Sequence, residues 1–393
     1  MTIYLDNAAT TPLYPEVIDL LNDLNKNLYG NPSSLHSIGR KSKKELKKAR
    51  QYIASTINAK EEEIVFTASA TEANNMVFKS LDYDLIITSP TEHPCVLEPA
   101  KATMLPIIWL NLDSEGFIDI NELEKNLESF KKKKILVSIM HGNNEIGTIQ
   151  NLEAIGKLKT KYPNFIFHSD CVQTYTKTDI NVEKFNLDCI SASAHKIHGP
   201  KGVGFLYMKK TLLDEISLRR KALIIGGGQE NEHRSGTENL TGIIAFSEAA
   251  KISIEKDKDS FLELWKNTFQ KLKEIPGAVI HGPKDLNRRV PGNINISFTE
   301  TSLNSEELVL QLDLAGIAAS SGSACSSNKA VPSSEVGIMS SYVLRACQIE
   351  ESLAKKAVRF SISRLNTEAE LGESLKITSG VLGKFSSELP QQA

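Results

Sequence analysis

The chain has 393 residues, 40% of them hydrophobic, with 46 Lys and Arg against 48 Asp and Glu for a formal net charge of −2. This is the composition of an ordinary globular protein; it excludes the strongly basic face that nucleic-acid backbones require, so no direct nucleic-acid binding is expected. No apolar run approaches the length of a membrane span, and the length exceeds what one core usually supports, so two domains are expected.

In chain order, residues 15–27 carry Val17, Leu20, Leu21 and Leu24 at helical spacing, and residues 42–56 carry Leu46, Ala49, Ile53 and Ala54. Both read as amphipathic helices. Short, continuously apolar runs then alternate with helical segments: 64–66, 85–88, 107–109, 135–139, 165–167, 189–190 and 204–207. Strands of this kind, apolar on both faces and separated by helices, predict a seven-stranded, mostly parallel sheet covered on both sides. A single long helix is expected over 243–272, leading into a smaller α+β domain with strands near 293–298 and 358–362 and a helix near 305–313. The domain boundaries expected are 15–255 for the large domain, and 1–14 with 256–393 for the small one. The Lys-rich runs at 41–48 and 131–134 read as solvated helix faces or ends. Five cysteines, at 95, 171, 189, 325 and 347, form no CxxC pair. Together with the absence of a basic leader before an apolar core, they predict a reducing, cytoplasmic setting.

The chemistry concentrates where predicted strands end. Asp170 follows the run 165–167, and Lys196 follows Ser191-Ala-Ser-Ala-His195, with Gly199, Pro200 and Gly202 after it. An acid and a lysine at neighbouring strand ends suit pyridoxal 5′-phosphate (PLP): the lysine holds the cofactor as a Schiff base, and the acid keeps the pyridine nitrogen protonated. In a parallel sheet such strand ends share one crevice. Residues 70–74 have the form of a strand end feeding a helix whose first amides can receive a phosphate, with Thr71 as the expected cap. Cys325 lies in Ser320-Ser-Gly-Ser-Ala-Cys-Ser-Ser327, too small and polar for a core and suited to an exposed nucleophile. The other four cysteines sit on or beside apolar segments and read as structural.

These and further motifs, in order, resemble the cysteine desulfurases of the class V aminotransferase fold, a PLP-dependent transferase fold like that of aspartate aminotransferase. The motifs are Leu5-Asp-Asn-Ala-Ala-Thr-Thr-Pro12, Tyr29-Gly-Asn-Pro-Ser-Ser-Leu-His36, Phe66-Thr-Ala-Ser-Ala-Thr-Glu-Ala-Asn-Asn75, Thr91-Glu-His-Pro94, Met140-His-Gly-Asn-Asn-Glu-Ile-Gly147, Arg234-Ser-Gly-Thr237 and Ser320-Ser-Gly-Ser-Ala-Cys325. The resemblance implies removal of sulfur from L-cysteine to give L-alanine and a persulfide on Cys325, which passes to an acceptor protein in iron–sulfur cluster assembly, tRNA thiolation or DNA phosphorothioation. It implies PLP on Lys196, with Ala70, Thr71, Ser193 and His195 around the phosphate and Thr237 supplied across a homodimer. His93 would stack on the ring and move protons. Asn144 and Gln173 would meet the ring oxygen, Asp170 the ring nitrogen, and Arg359 with Asn31 the substrate carboxylate. No metal is expected. Selenocysteine lyase and class V aminotransferase activities are the alternatives; a transaminase needs no cysteine like Cys325, and a non-catalytic sulfur relay would not need Lys196 and Asp170. The segment from Cys325 to Tyr342 is longer than the family's usual loop, which leaves the sulfur acceptor open.

Overall fold

The computed structural model describes residues 2–219, 221–256, 258–321 and 340–386. Cys325 lies outside them. The strands, in chain order, are β1 (Ile3–Tyr4), β2 (Ile64–Thr67), β3 (Leu85–Thr88), β4 (Ile107–Trp109), β5 (Ile135–Ser138), β6 (Phe165–Asp170), β7 (Cys189–Ser193), β8 (Gly204–Met208), β9 (Ala278–His281), β10 (Asn293–Phe298), β11 (Ile317–Ala318) and β12 (Ala357–Ser361).

Seven of them form one sheet in the order β2-β8-β7-β6-β5-β3-β4. β3 to β7 run parallel with one another, and β8 alone lies antiparallel, between β2 and β7. Side chains alternate across a strand, and here that alternation sorts them into two cores. Ile64, Phe66, Leu85, Ile87, Ile135, Val137, Phe165, Phe167, Ile190 and Phe205 pack on one face. Val65, Ile86, Leu136, Ile166, Cys189 and Leu206 pack on the other. The first face is covered by the helices Pro15–Asn27, Ser37–Ser55 and Leu240–Glu255, the second by Ala70–Ser80, Pro94–Ala102 and Lys210–Arg219. Both faces are therefore apolar, which is why these strands lack a polar alternation in the sequence.

The smaller unit is a three-stranded antiparallel sheet, β12-β10-β9. Its core joins Trp265, Phe269, Ile294, Phe298 and Phe360 with Ile3 and Leu5 from the start of the chain. β1 pairs in parallel with β11, and Asp6 bridges to Ser361. The first residues thus run along this unit and then reach the large sheet at Ala8 and Ala9.

Two helices differ from expectation. The second begins at Ser37 rather than Ser42, because His36 caps it through Nδ1, accepting from the Gly39 amide at 3.2 Å. The long helix is two, Leu240–Glu255 and Lys258–Lys273. Lys256 leaves helical geometry (φ −66°, ψ 149°), and its carbonyl, which a continuous helix would use internally, accepts from Arg364 Nη1 at 2.8 Å. Among the described residues no helix is long and apolar enough to cross a membrane, and no group of three His, Cys, Asp or Glu is placed to hold a metal ion.

Candidate active site

Beyond the carboxyl ends of β6 and β7 lies a cavity of 230 Å³, the position at which open α/β sheets bind ligands. Of the residues singled out in the sequence, Ala70, Thr71, His93, Asn144, Asp170, Gln173, Ser193, His195, Lys196 and Arg359 line it. Asn31 and Thr237 do not; both are exposed on this chain. The sequence reading did not include Ala8, Ala9, Ser69, Cys95, Met140 and Val172, which also line the cavity.

Asp170 ends β6 and is 3% exposed. Its Oδ1 accepts from the Val172 amide at 3.0 Å, and its Oδ2 accepts from Asn74 Nδ2 at 3.1 Å and the Cys95 thiol at 3.5 Å. Behind it, Asn74 Oδ1 meets His168 Nε2 at 3.1 Å, and His168 Nδ1 meets Ser138 Oγ at 2.8 Å. Because the Asn74 amide donates to Asp170, its oxygen must accept, which puts the His168 proton on Nε2. Burial lowers His168 to about 4, so this ring is neutral and the polarity of the relay is fixed. Burial, followed by the nearby Asp170 charge, pushes the Cys95 thiol well up. Cys95, expected to be structural, is a thiol donor in the cavity wall.

Lys196 stands in the turn after β7, where Nζ donates to the carbonyls of Ala8 and Ala9 at 2.7 Å each. The Ala8 carbonyl also accepts from Gln173 Nε2 at 3.0 Å. The opening segment is thus the wall that holds both side chains. His195 Nδ1 meets Thr10 Oγ1 at 3.1 Å, and burial followed by the Lys196 charge lowers this ring to about 4.

The helix Ala70–Ser80 begins at the cavity rim. Its cap is Ser69, not Thr71: Ser69 Oγ accepts from the Glu72 amide at 3.3 Å. The cap leaves the Ala70 and Thr71 amides, which have no partner inside a helix, at the rim. A Cβ on Gly204 would stand 2.6 Å from the Ala192 carbonyl oxygen and 2.9 Å from the Ser69 carbonyl carbon. Glycine there lets the cap settle onto β8. Glu72 also binds Arg234 Nε at 2.9 Å, which ties the Arg234–Thr237 segment beside this helix end.

His93 caps the helix Pro94–Ala102, its Nδ1 accepting from the Cys95 amide at 3.1 Å. Burial lowers its pKa, against the pull of Asp170. Across the cavity, Arg359 on β12 donates through Nη2 to Asp6 Oδ1 at 2.7 Å and through Nη1 to the Asn144 carbonyl at 3.0 Å. Its Nε, like Asn144 Oδ1, is buried without a hydrogen-bond partner among the described residues. Two orphaned polar atoms in the wall of one cavity call for a polar ligand, since an unpaired buried group costs about 1–3 kcal/mol.

These features fit PLP. The helix end and Ser193 suit a phosphate, the buried carboxylate of Asp170 a cationic ring nitrogen, and Lys196 an aldehyde carbon. The sequence pattern of the family described as "Aminotransferase class-V" matches residues 3–373. The cysteine desulfurase IscS of Dictyoglomus turgidum is 39% identical, over 99% of this chain and 96% of that protein. A solved NifS-like protein superposes with a TM-score of 0.85 at 32% identity, covering 98% of this chain and all of that one. SspA, solved in complex with cysteine, superposes at 0.77 with 29% identity, over 92% and 99%. With a family match that spans all three sheets and the whole cavity wall, the chain belongs to the aminotransferase class-V family, among its PLP-dependent cysteine desulfurases.

Proposed function

We propose that the chain removes sulfur from L-cysteine with PLP held at Lys196, releases L-alanine and keeps the sulfur as a persulfide on Cys325. One observation carries the reading: Asp170, Lys196 and Arg359 line a single cavity in which Arg359 Nε and Asn144 Oδ1 have no partner among the described residues. Bound PLP supplies an electron sink for the pair left on the substrate when its α-proton departs. Asp170 would hold the cationic ring nitrogen by a charge-assisted bond. Arg359 receives the substrate carboxylate, which a guanidinium suits better than a lysine. Lys196 Nζ, between two backbone carbonyls, takes the α-proton. His93 has Nδ1 engaged by the Cys95 amide, so as a neutral ring it carries its proton on Nε2 and can deliver it there.

In sulfur transfer, the Cys325 thiolate attacks the substrate sulfur. An S–S bond forms and the substrate C–S bond breaks, its electron pair staying on Cβ; one proton to Cβ and the return of a proton to Cα complete L-alanine. An acceptor thiol or protein then takes the outer sulfur. The four cysteines among the described residues are free and buried, which suits a reducing compartment. Thr237 and Asn31 lie outside this chain's own cavity, near Ile225 (79% exposed) and Leu35 (89% exposed). This supports a homodimer in which one copy completes the phosphate site of the other.

The test is Cys325→Ser in the holoenzyme. It should bind PLP and L-cysteine and release no sulfide, while wild type after one turnover carries one added sulfur on the Cys325 peptide. Sulfur on Cys95, Cys171, Cys189 or Cys347, or sulfide release by the variant at the wild-type rate, would overturn the reading.

A further inference from the structure

Glu145 is buried, and it follows Asn144 in the loop that forms one wall of the cavity. That loop holds itself through Asn143, whose Oδ1 accepts from the Glu145 and Ile146 amides at 2.8 and 2.9 Å. Beyond its amide, the bonds of Glu145 lead to the other side of the cleft. Its carbonyl accepts from Asn293 and Asn295 on β10, at 3.0 and 3.3 Å. Its carboxylate oxygen Oε2 accepts from the hydroxyl of Ser341. Ser341 caps the helix Tyr342–Ala346, its Oγ accepting from the Val343 and Leu344 amides. With both acceptor positions used by the cap, the single hydroxyl proton of Ser341 is committed to Glu145. The next residue points the same way, since Tyr342 OH donates to the Glu92 carbonyl at 2.8 Å, immediately before His93. The start of this helix is therefore pinned to both cavity loops, the one that carries Asn144 and the one that carries His93.

We propose that Glu145 and Ser341 are a positioning pair for sulfur transfer. Their bond holds the chain downstream of Cys325 to the wall that carries Asn144 and, through the Asn144 carbonyl, Arg359. Substrate binding draws on Arg359, Asp170 and Lys196, none of which the pair touches by side chain. Delivery of the nucleophile depends on where the chain is anchored, and a misplacement of about 1 Å at a reacting atom can cost about a hundredfold in rate. The pair thus serves transfer and leaves binding alone. The proposal rests on Cys325 as the sulfur acceptor.

Ser341→Asp and Ser341→Asn separate this role from that of a helix cap, since Asp and Asn both cap well. Asn can cap with its oxygen and still donate to Glu145, whereas Asp, in assays run above about pH 8 where Glu145 of wild type is ionised, sets a carboxylate against a carboxylate. In the holoenzyme, single-turnover mass spectrometry reads persulfide formation on Cys325, and the cofactor's absorbance on titration with L-cysteine reads binding. Ser341→Asp should form persulfide at least about tenfold more slowly, with half-saturation by L-cysteine within about twofold of wild type and Ser341→Asn close to wild type in both. Ser341→Asp at the wild-type rate would overturn the pairing, as would Asn being as slow as Asp, or rate and binding falling together. If Cys325→Ser still accepts sulfur, it is the nucleophile assignment that fails and not the pair.

Discussion

The side-chain amide of Asn74 donates to Oδ2 of Asp170 at 3.1 Å, at the floor of the cavity. Its other end accepts from a neutral His168, which in turn is held by Ser138. The three groups behind Asp170 have one consistent assignment of protons, so the carboxylate in the cavity wall is fixed in orientation from behind.

Asn74→Leu keeps the volume and removes the link. Asp170 Oδ2 loses a donor and His168 Nε2–H loses its acceptor, all in a dry interior. His168 is left unpaired, at a cost of about 1–3 kcal/mol, and Asp170 Oδ2 keeps only the longer bond from the Cys95 thiol, so the apo-protein should lose about 2–4 kcal/mol in a urea titration. PLP affinity should fall as well, because Asp170 is no longer held. An unchanged urea midpoint together with unchanged PLP affinity would show that the relay contributes nothing.

Glu145 gives a pH signature. Burial raises its carboxyl to about 7, against the pull of Arg359 and the Ser341 hydroxyl. Below pH 4.5 both folded and unfolded chains hold this proton, and between 4.5 and about 7 only the folded chain does. Wild type therefore loses stability as pH rises through that window, by up to about 3 kcal/mol, and the loss stays constant above it. Glu145→Gln keeps an acceptor for Ser341 and has no proton to lose. Relative to wild type the variant should become more stable from pH 5 to pH 8, measured by urea unfolding. Parallel curves for the two proteins would refute the shifted carboxyl.

Gly204→Ala tests the phosphate end. The added methyl would meet the Ala192 carbonyl oxygen at 2.6 Å and the Ser69 carbonyl carbon at 2.9 Å, both backbone atoms that cannot swing aside. Either β8 parts from β7 or the Ser69 cap lifts from β8. Overpacking of this kind costs about 1–3 kcal/mol, and lifting the cap displaces the Ala70 and Thr71 amides. A lower melting temperature with PLP dissociating faster is expected; PLP retention like wild type's would mean that the cap is not part of the phosphate site.

The sheet was legible because its strands are apolar on both faces, so that all seven runs stood out against polar helix surfaces. The helix break at Lys256 was not, because its cause is Arg364, more than a hundred residues away, taking the Lys256 carbonyl. At the site, Asp170 and Lys196 are readable from their places at strand ends. Asn74, His168 and Ser138 are not: His168 and Ser138 look like incidental polar residues in apolar strands, Asn74 sits in the polar start of a helix, and none shows its partners until the fold brings them into line. Cys95 misled for a related reason. Its apolar neighbours belong to the helix Pro94–Ala102, yet its thiol turns to Asp170. The capping of Ala70–Ser80 fell one step earlier than Thr71, within the usual uncertainty of helix ends read from sequence.

Asp170→Asn separates charge from shape. Both oxygens of Asp170 accept from the protein, one from the Val172 amide and the other from Asn74 and Cys95. An asparagine offers one acceptor and one N–H₂, so one of these donors would face another donor. If the new oxygen keeps the Val172 amide, its N–H₂ faces Asn74 Nδ2, and Asn74 must turn over and surrender His168. The variant should therefore be less stable than wild type by about 1–3 kcal/mol even without cofactor. In the holoenzyme the ring nitrogen also loses its anionic partner, and turnover should fall by a further amount worth a few kcal/mol, the scale of a buried charge-assisted bond. Urea unfolding of the apo-protein reads the first effect, and sulfide release at saturating PLP and L-cysteine reads the second. Turnover at the wild-type level would mean that Asp170 is a structural acid, held by the relay for the fold and not for the ring nitrogen.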